Sequence, residues 1–189
     1  EPLAVALHAV RRAGDVRGRD VLVNGAGPIG CLVVAAAKLA GAASVVVADV
    51  AGPPLEIARA LGADEVRNLA AGERLPDDVE LVFEASGVPA AVAGVLRATA
   101  RGGTVVQVGN LPGAPAQVAL GDLVTREITW IGSYRFADEI TDAVRALGAG
   151  LDLDPLITRT FDLADAAAAL DFASSSHGGK VLLRLGGRA

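Results

Sequence analysis

Short apolar segments alternate with helix-like segments along this chain, and one glycine-rich turn joins the first strand to a long apolar helix. Together these predict an α/β fold with a doubly wound parallel sheet of the Rossmann type. The turn is Gly25-Ala26-Gly27-Pro28-Ile29-Gly30, a G-x-G-x-x-G, and an acidic residue, Asp49, follows 19 positions after Gly30 at the end of a Val-rich strand. A glycine pattern alone is weak. At a strand-to-helix junction with a carboxylate at that spacing, it is the pattern of a dinucleotide-binding βαβ unit.

Each residue of the turn has a physical task. Gly25 permits the sharp exit from the strand, Gly27 keeps a Cβ away from an approaching pyrophosphate, and Gly30 lets helix and strand lie close. Pro28 sits in the first helical turn, where its missing N–H costs nothing. The unpaired N–H groups there and the helix dipole favour phosphate, and Asp49 is placed to accept from ribose hydroxyls.

In chain order, Pro2 to Ala13 reads as a helix stopped by Gly14, followed by a charged turn and a strand at Val21 to Asn24. The helix from Pro28 to Ala40 is apolar nearly all round, as for one pressed between two layers, and Gly41 ends it. Pro54 to Leu61 reads as a short helix, Val66 marks a third strand, and Ala70 to Asp78 a polar loop. Leu81 to Gly87 is a buried strand, Pro89 to Ala100 a helix, and Gly103 to Gly109 a strand. Leu111 to Leu120, with Pro112 and Pro115, reads as irregular. Then come a strand at Glu127 to Ile131, helices at Ala137 to Leu147 and Leu163 to Phe172, with Asp162 as N-cap, a loop at Ser174 to Gly179, and a strand at Val181 to Leu185.

The 189 residues are 52% hydrophobic and 21% charged, enough for one substantial core. A net charge of −5 without a basic block argues against nucleic acid and anionic membrane surfaces. The single cysteine excludes an internal disulfide, and with no secretory signal in view the expectation is a cytoplasmic protein. The chain has no methionine and opens abruptly on Glu1-Pro2-Leu3, which suggests the C-terminal half of a longer polypeptide.

Other singled-out residues read as structural. Cys31 lies in an apolar helix and reads as a core filler. His8 reads as packed, His177 as a surface loop residue, and Asp77, Asp78 and Glu80 as a solvated acidic face. Trp130 reads as core or interface.

Six segments carry a resemblance: EPLAVALHA, NGAGPIGCLVVAAAK, VFEASG, VVQVGN, IGSYRF and LITRTFDLADAAAALDFA. In this order they resemble the C-terminal half of the zinc-dependent medium-chain dehydrogenases, in the sorbitol (polyol) dehydrogenase branch. The resemblance implies a dinucleotide-binding domain over residues 1–150 and a C-terminal segment over 151–189 that packs on a zinc-bearing domain not included here. It implies NAD, preferred over NADP, and zinc in the full protein. The substrate would be a sugar acid, L-idonate foremost, or a polyol, whose hydroxyl zinc polarises before hydride passes to the nicotinamide. A homodimer or homotetramer is implied, with the strand near Glu127 to Ile131 at the sheet edge.

By the same resemblance, Glu1 stands near zinc and substrate, as an outer-shell residue or ligand. Ile29, Asp49 and Ser86 face the cofactor, Val108, Gly109 and Asn110 run along the nicotinamide, and Tyr134, Arg135 and Phe136 lie between cofactor and substrate. An arginine between two aromatics suits a carboxylate or phosphate. Two departures stand out. Relatives often carry an arginine after the strand-2 acid where this chain has Gly52, Pro53 and Pro54, and sorbitol-type relatives often have tyrosine at Phe136. Three other readings compete: a non-catalytic NAD-sensing module, a zinc-free quinone or enoyl reductase preferring NADPH, and a neutral-polyol dehydrogenase. A basic or small residue at Asp49 would favour the reductase.

Overall fold

The computed structural model describes residues 1–174 and 178–186. Its sheet has six parallel strands in the order β3-β2-β1-β4-β5-β6: β1 (Asp20–Asn24), β2 (Ser44–Asp49), β3 (Glu65–Asn68), β4 (Val79–Glu84), β5 (Thr99–Gln107) and β6 (Thr129–Gly132). The chain runs outward from β1 to β3, then returns to place β4 on the other side of β1. That reversal opens a crevice at the carboxyl ends of β1 and β4, where doubly wound sheets bind ligands.

Strand alternation sorts the side chains. Val21 and Val23 of β1 join Val45, Val47, Leu81, Phe83 and Val106 in one core, covered by α1 (Pro2–Arg12), α2 (Pro28–Leu39) and α3 (Gly52–Ala60). Leu22 faces the opposite side with Val82 and Val105, packed under Val92, Val95 and Leu96 of α4 (Pro89–Ala98). Each fully buried Val or Leu contributes about 1.5–3 kcal/mol relative to exposure. α2 is buried from Gly30 through Ala37 because α1 covers its outer side, which accounts for its all-round apolar sequence.

Several elements differ from expectation. A parallel pair of strands, β7 (Ile157–Asp162) and β8 (Lys180–Arg184), forms a second sheet. β7 was not foreseen because it is largely exposed, with only Ile157 and Phe161 as large apolar residues. Asp162 does not cap the following helix; it accepts from Arg184 at 3.2 Å, and α7 (Ala166–Ala173) starts after a 3-10 turn. A short α5 (Gly121–Thr125) precedes β6, and Glu127, at φ 54°, is a turn residue rather than the start of the strand. The helix expected from Ala137 begins only with α6 (Ile140–Gly148). Leu151, Leu153 and Leu156 pack on the larger core.

Among the described residues no helix is long and apolar enough to cross a membrane. Asp78 pairs with Arg126 and Glu80 with Arg19, so the acidic face is a solvated one. His177 lies outside the described residues.

Candidate functional site

The glycine turn is shaped by close backbone contact. Gly25 has φ 103°, and a Cβ there would stand 2.6 Å from the Ser86 nitrogen. A Cβ on Gly30 would fall 1.8 Å from the Gly25 carbonyl oxygen, so only glycine lets α2 leave the strand this tightly. Gly27 meets nothing within 4 Å and faces open space as N-cap of α2, with Pro28 next in the first turn. The first-turn N–H groups of Ile29 and Gly30 have no partner within the helix.

Asp49 ends β2 beside this turn. Its Oδ2 accepts from the Ala26 N–H at 2.6 Å and its Oδ1 from the Ala51 N–H at 2.9 Å. Each oxygen keeps a free lone pair for a further donor. Asp49, Asn24, Gly25, Val50, Leu69 and Ser86 line a recess of about 210 Å³ on one side of the turn.

A second cleft, of about 280 Å³, lies on the other side. Glu1, Ile29, Val108, Asn110, Tyr134 and Arg135 line it, with Ser133 and Val5. Residues from the N-terminus and from the middle of the sequence thus meet in one place. Gly109 lies alongside in an adjoining recess with Gln107 and Leu111. Arg135 holds a left-handed backbone, φ 54°, uncommon for a non-glycine residue and enriched at functional sites. Its Nε donates to the Tyr134 hydroxyl at 3.2 Å and its guanidinium lies 5.4 Å from that ring's centre.

Phe136 is not part of this cleft. It is partly buried and packs on the larger core. Cys31 is buried, with Sγ 3.2 Å from the Ala26 oxygen, and burial aided by the Asp49 charge pushes its thiol up to about 12. It is an inert core filler. His8 is tied by Nδ1 to Glu139 at 3.0 Å.

Two carboxylates at the site escaped the sequence reading. Glu84, at the end of β4, is fully buried and binds the Ser86–Gly87 turn. Glu139, also buried, holds the Ala137 N–H at 2.8 Å just after Arg135. A charge closing an otherwise apolar strand was the one signal for Glu84. No local signal marks Glu139.

The described residues include no group of three or more His, Cys, Asp or Glu able to hold a metal. A zinc ion near Glu1 would need ligands from outside the described residues. A dinucleotide does fit, since the open space at Gly27, the acceptor at Asp49 and the two recesses follow one crevice.

Comparison with known proteins agrees with this geometry. The chain is 39% identical over 184 residues to L-idonate 5-dehydrogenase (NAD(P)(+)) of Escherichia coli, covering 92% of this chain and 52% of the relative. It is 35% identical over 197 residues to sorbitol dehydrogenase of Ovis aries, covering 97% and 55%. The crystal structure of the Escherichia coli L-idonate 5-dehydrogenase superposes with a TM-score of 0.91 at 38% identity, over 98% of this chain and 55% of that one. A solved structure from Sinorhizobium meliloti 1021, bound to NADP, gives 0.88 at 30% identity, over 97% and 57%. The chain therefore spans about half the length of these relatives. The profile of the family described as zinc-binding dehydrogenase matches residues 28–149, more than half of the chain, and the chain belongs to that family.

Proposed function

We propose that this chain is the cofactor-binding portion of an NAD-dependent dehydrogenase that oxidises a secondary hydroxyl of a sugar acid or polyol, with L-idonate favoured. The observation that carries the reading is the crevice at the β1–β4 reversal, with Asp49 in one recess and Arg135 in the other. NAD bound there would accept hydride from the substrate's carbinol carbon.

The chain's own residues bind and orient. Asp49 accepts from ribose hydroxyls, the open approach at Gly27 and the first-turn N–H groups of α2 receive the pyrophosphate, and Ser86 borders the adenosine recess. Val108, Gly109 and Asn110 form the wall against which the nicotinamide lies. Tyr134 and Arg135 face the substrate, and the Arg135 fork suits a carboxylate better than a neutral hydroxyl. Support for a sugar-acid or polyol substrate also comes from the two named relatives.

Residues 151–189 would pack against the remainder of a longer polypeptide. An apolar cleft of about 570 Å³, lined by Glu1, Leu3, Leu147, Leu151, Ile157 and Leu182, opens beside β8.

The test is NADH formation by the full-length protein with L-idonate and with sorbitol. Faster oxidation of L-idonate is expected. Arg135→Ala should lower kcat/KM for L-idonate by about 10- to 100-fold, the value of a lost charge-assisted hydrogen bond, and leave sorbitol much less affected. Oxidation of neither substrate would overturn the activity. A preference for sorbitol, unchanged by Arg135→Ala, would establish the neutral-polyol reading instead.

A further inference from the structure

A carboxylate with no cation beside it lies beneath the crevice. Glu84 is 0% exposed and pairs with no Lys, Arg or His among the described residues. Its Oε1 accepts from the Ser86 N–H at 2.9 Å, from the Ser86 hydroxyl, and from Asn24 Nδ2 at 3.3 Å. Its Oε2 accepts from the Gly87 N–H at 3.2 Å and from Gln107 Nε2. Every partner donates, so both oxygens act as acceptors, the bonding pattern of an ionised carboxylate.

A buried charge satisfied only by neutral donors is costly to keep, and a neighbouring positive charge would lower that cost. The same residue also fixes the cofactor wall. The Glu84 carbonyl accepts from the Val108 and Gly109 N–H groups, each at 2.8 Å. A Cβ on Gly109 would lie 2.3 Å from the Gly87 nitrogen, so the turn that the carboxylate holds and the wall move as one piece. The charged side chains lining the cleft beyond that wall are Glu1 and Arg135, of opposite sign.

We propose that Glu84 is a positioning residue whose buried charge sets the preference of the site between the two redox states of its cofactor. The oxidised nicotinamide ring carries a positive charge and the reduced ring carries none, so a fixed negative charge behind Val108–Asn110 favours the oxidised form. The proposal rests on the dinucleotide reading above and adds to it the selection of redox state.

The experiment titrates the full-length protein with NAD and NADH separately, by calorimetry, for wild type, Glu84→Gln and the double variant Glu84→Gln/Gln107→Glu. In Glu84→Gln the NADH-to-NAD ratio of Kd values should fall about sixfold, the value of a unit-charge pair across about 15 Å at an effective dielectric near 20. The double variant returns a carboxylate to the same pair, gives up the Gln107 bond to the Gly109 carbonyl at 2.9 Å, and should restore the ratio. Equal weakening of both cofactors, or an unchanged ratio, would overturn the proposal, since a residue of structural importance alone affects both alike. Should Glu84→Gln fail to fold, the double variant decides: a ratio like wild type supports the proposal and a lost bias overturns it. Wild-type protein that binds neither cofactor would overturn the dinucleotide reading itself and this proposal with it.

Discussion

Asp49 is held in place by the fold, and its proposed role toward the cofactor follows from that position. Its two oxygens hold the N–H groups of Ala26 and Ala51, which fixes the carboxylate beside the turn. The 2′-phosphate of NADP would bring nearly two negative charges toward it. A unit pair at about 4 Å and an effective dielectric near 20 costs about 4 kcal/mol before screening, which leaves roughly 1–3 kcal/mol, or about 10- to 100-fold, in favour of NAD. Asp49→Asn keeps one acceptor oxygen for the turn while removing the charge, so it should narrow the gap with modest loss of NAD affinity. Asp49→Ala should weaken NAD further by also freeing the turn. Calorimetric titration with both cofactors checks this, and equal affinities in the wild-type protein would show that Asp49 does not face the ribose.

At the level of elements, α1 and α6 are joined by a cluster around Glu139. His8 and Arg11 of α1 reach Glu139 at 3.0 and 2.9 Å, and Arg11 also binds Asp138 and Asp142. Arg12 donates to the Gly132 carbonyl at 3.3 Å, so α1 is tied to the segment that carries Tyr134 and Arg135. Burial pushes the Glu139 carboxyl up, but hydrogen bonds from His8, the Ala137 N–H and its own N–H outweigh it and hold it down at about 2. A carboxyl depressed from 4.5 to about 2 stabilises the fold fully above pH 4.5, and that contribution disappears as pH falls toward 2. Glu139→Gln should lower the melting temperature at pH 7 by about 4–8 °C, from roughly 2 kcal/mol lost. Between pH 5 and 3 the wild type should lose more of its melting temperature than the variant does. Parallel slopes in thermal melts would show that Glu139 is not the titrating group.

For the whole molecule, the open edge of the sheet is decisive. β6 pairs with β5 on one side only, and it carries the half-buried Trp130 and Ile131. Exposed Val124 and Leu120 lie just before it in the chain. An apolar strand edge of this kind invites pairing with another strand, and a symmetric pair would extend the sheet across two copies. The full-length protein is expected to be at least a dimer by light scattering at tens of micromolar, a range set by ordinary interface affinities. Ile131→Lys, which puts a charge on the edge, should shift it toward monomer. A monomeric wild type would count against the edge as an interface.

The sheet, the glycine turn and Asp49 were legible in the sequence because their causes are local. Val21-Leu22-Val23 alternates across the strand at a period of two, Gly25 meets a backbone angle that other residues resist, and Asp49 follows at a spacing set by one βαβ unit. β7 was not legible, because a largely exposed strand has little apolar pattern and forms only where β8, some 20 residues later, runs beside it. Tertiary structure also packed Phe136 on the larger core, closed the cleft with Glu1 from the far end of the chain, and gave Glu139 its partner 131 residues away. Sequence alone placed a charge at Glu84, but the donors that make it a buried, uncompensated carboxylate come from three strand ends. A local pattern fixes backbone geometry over a few residues, whereas the environment of a charge depends on which distant segments pack around it.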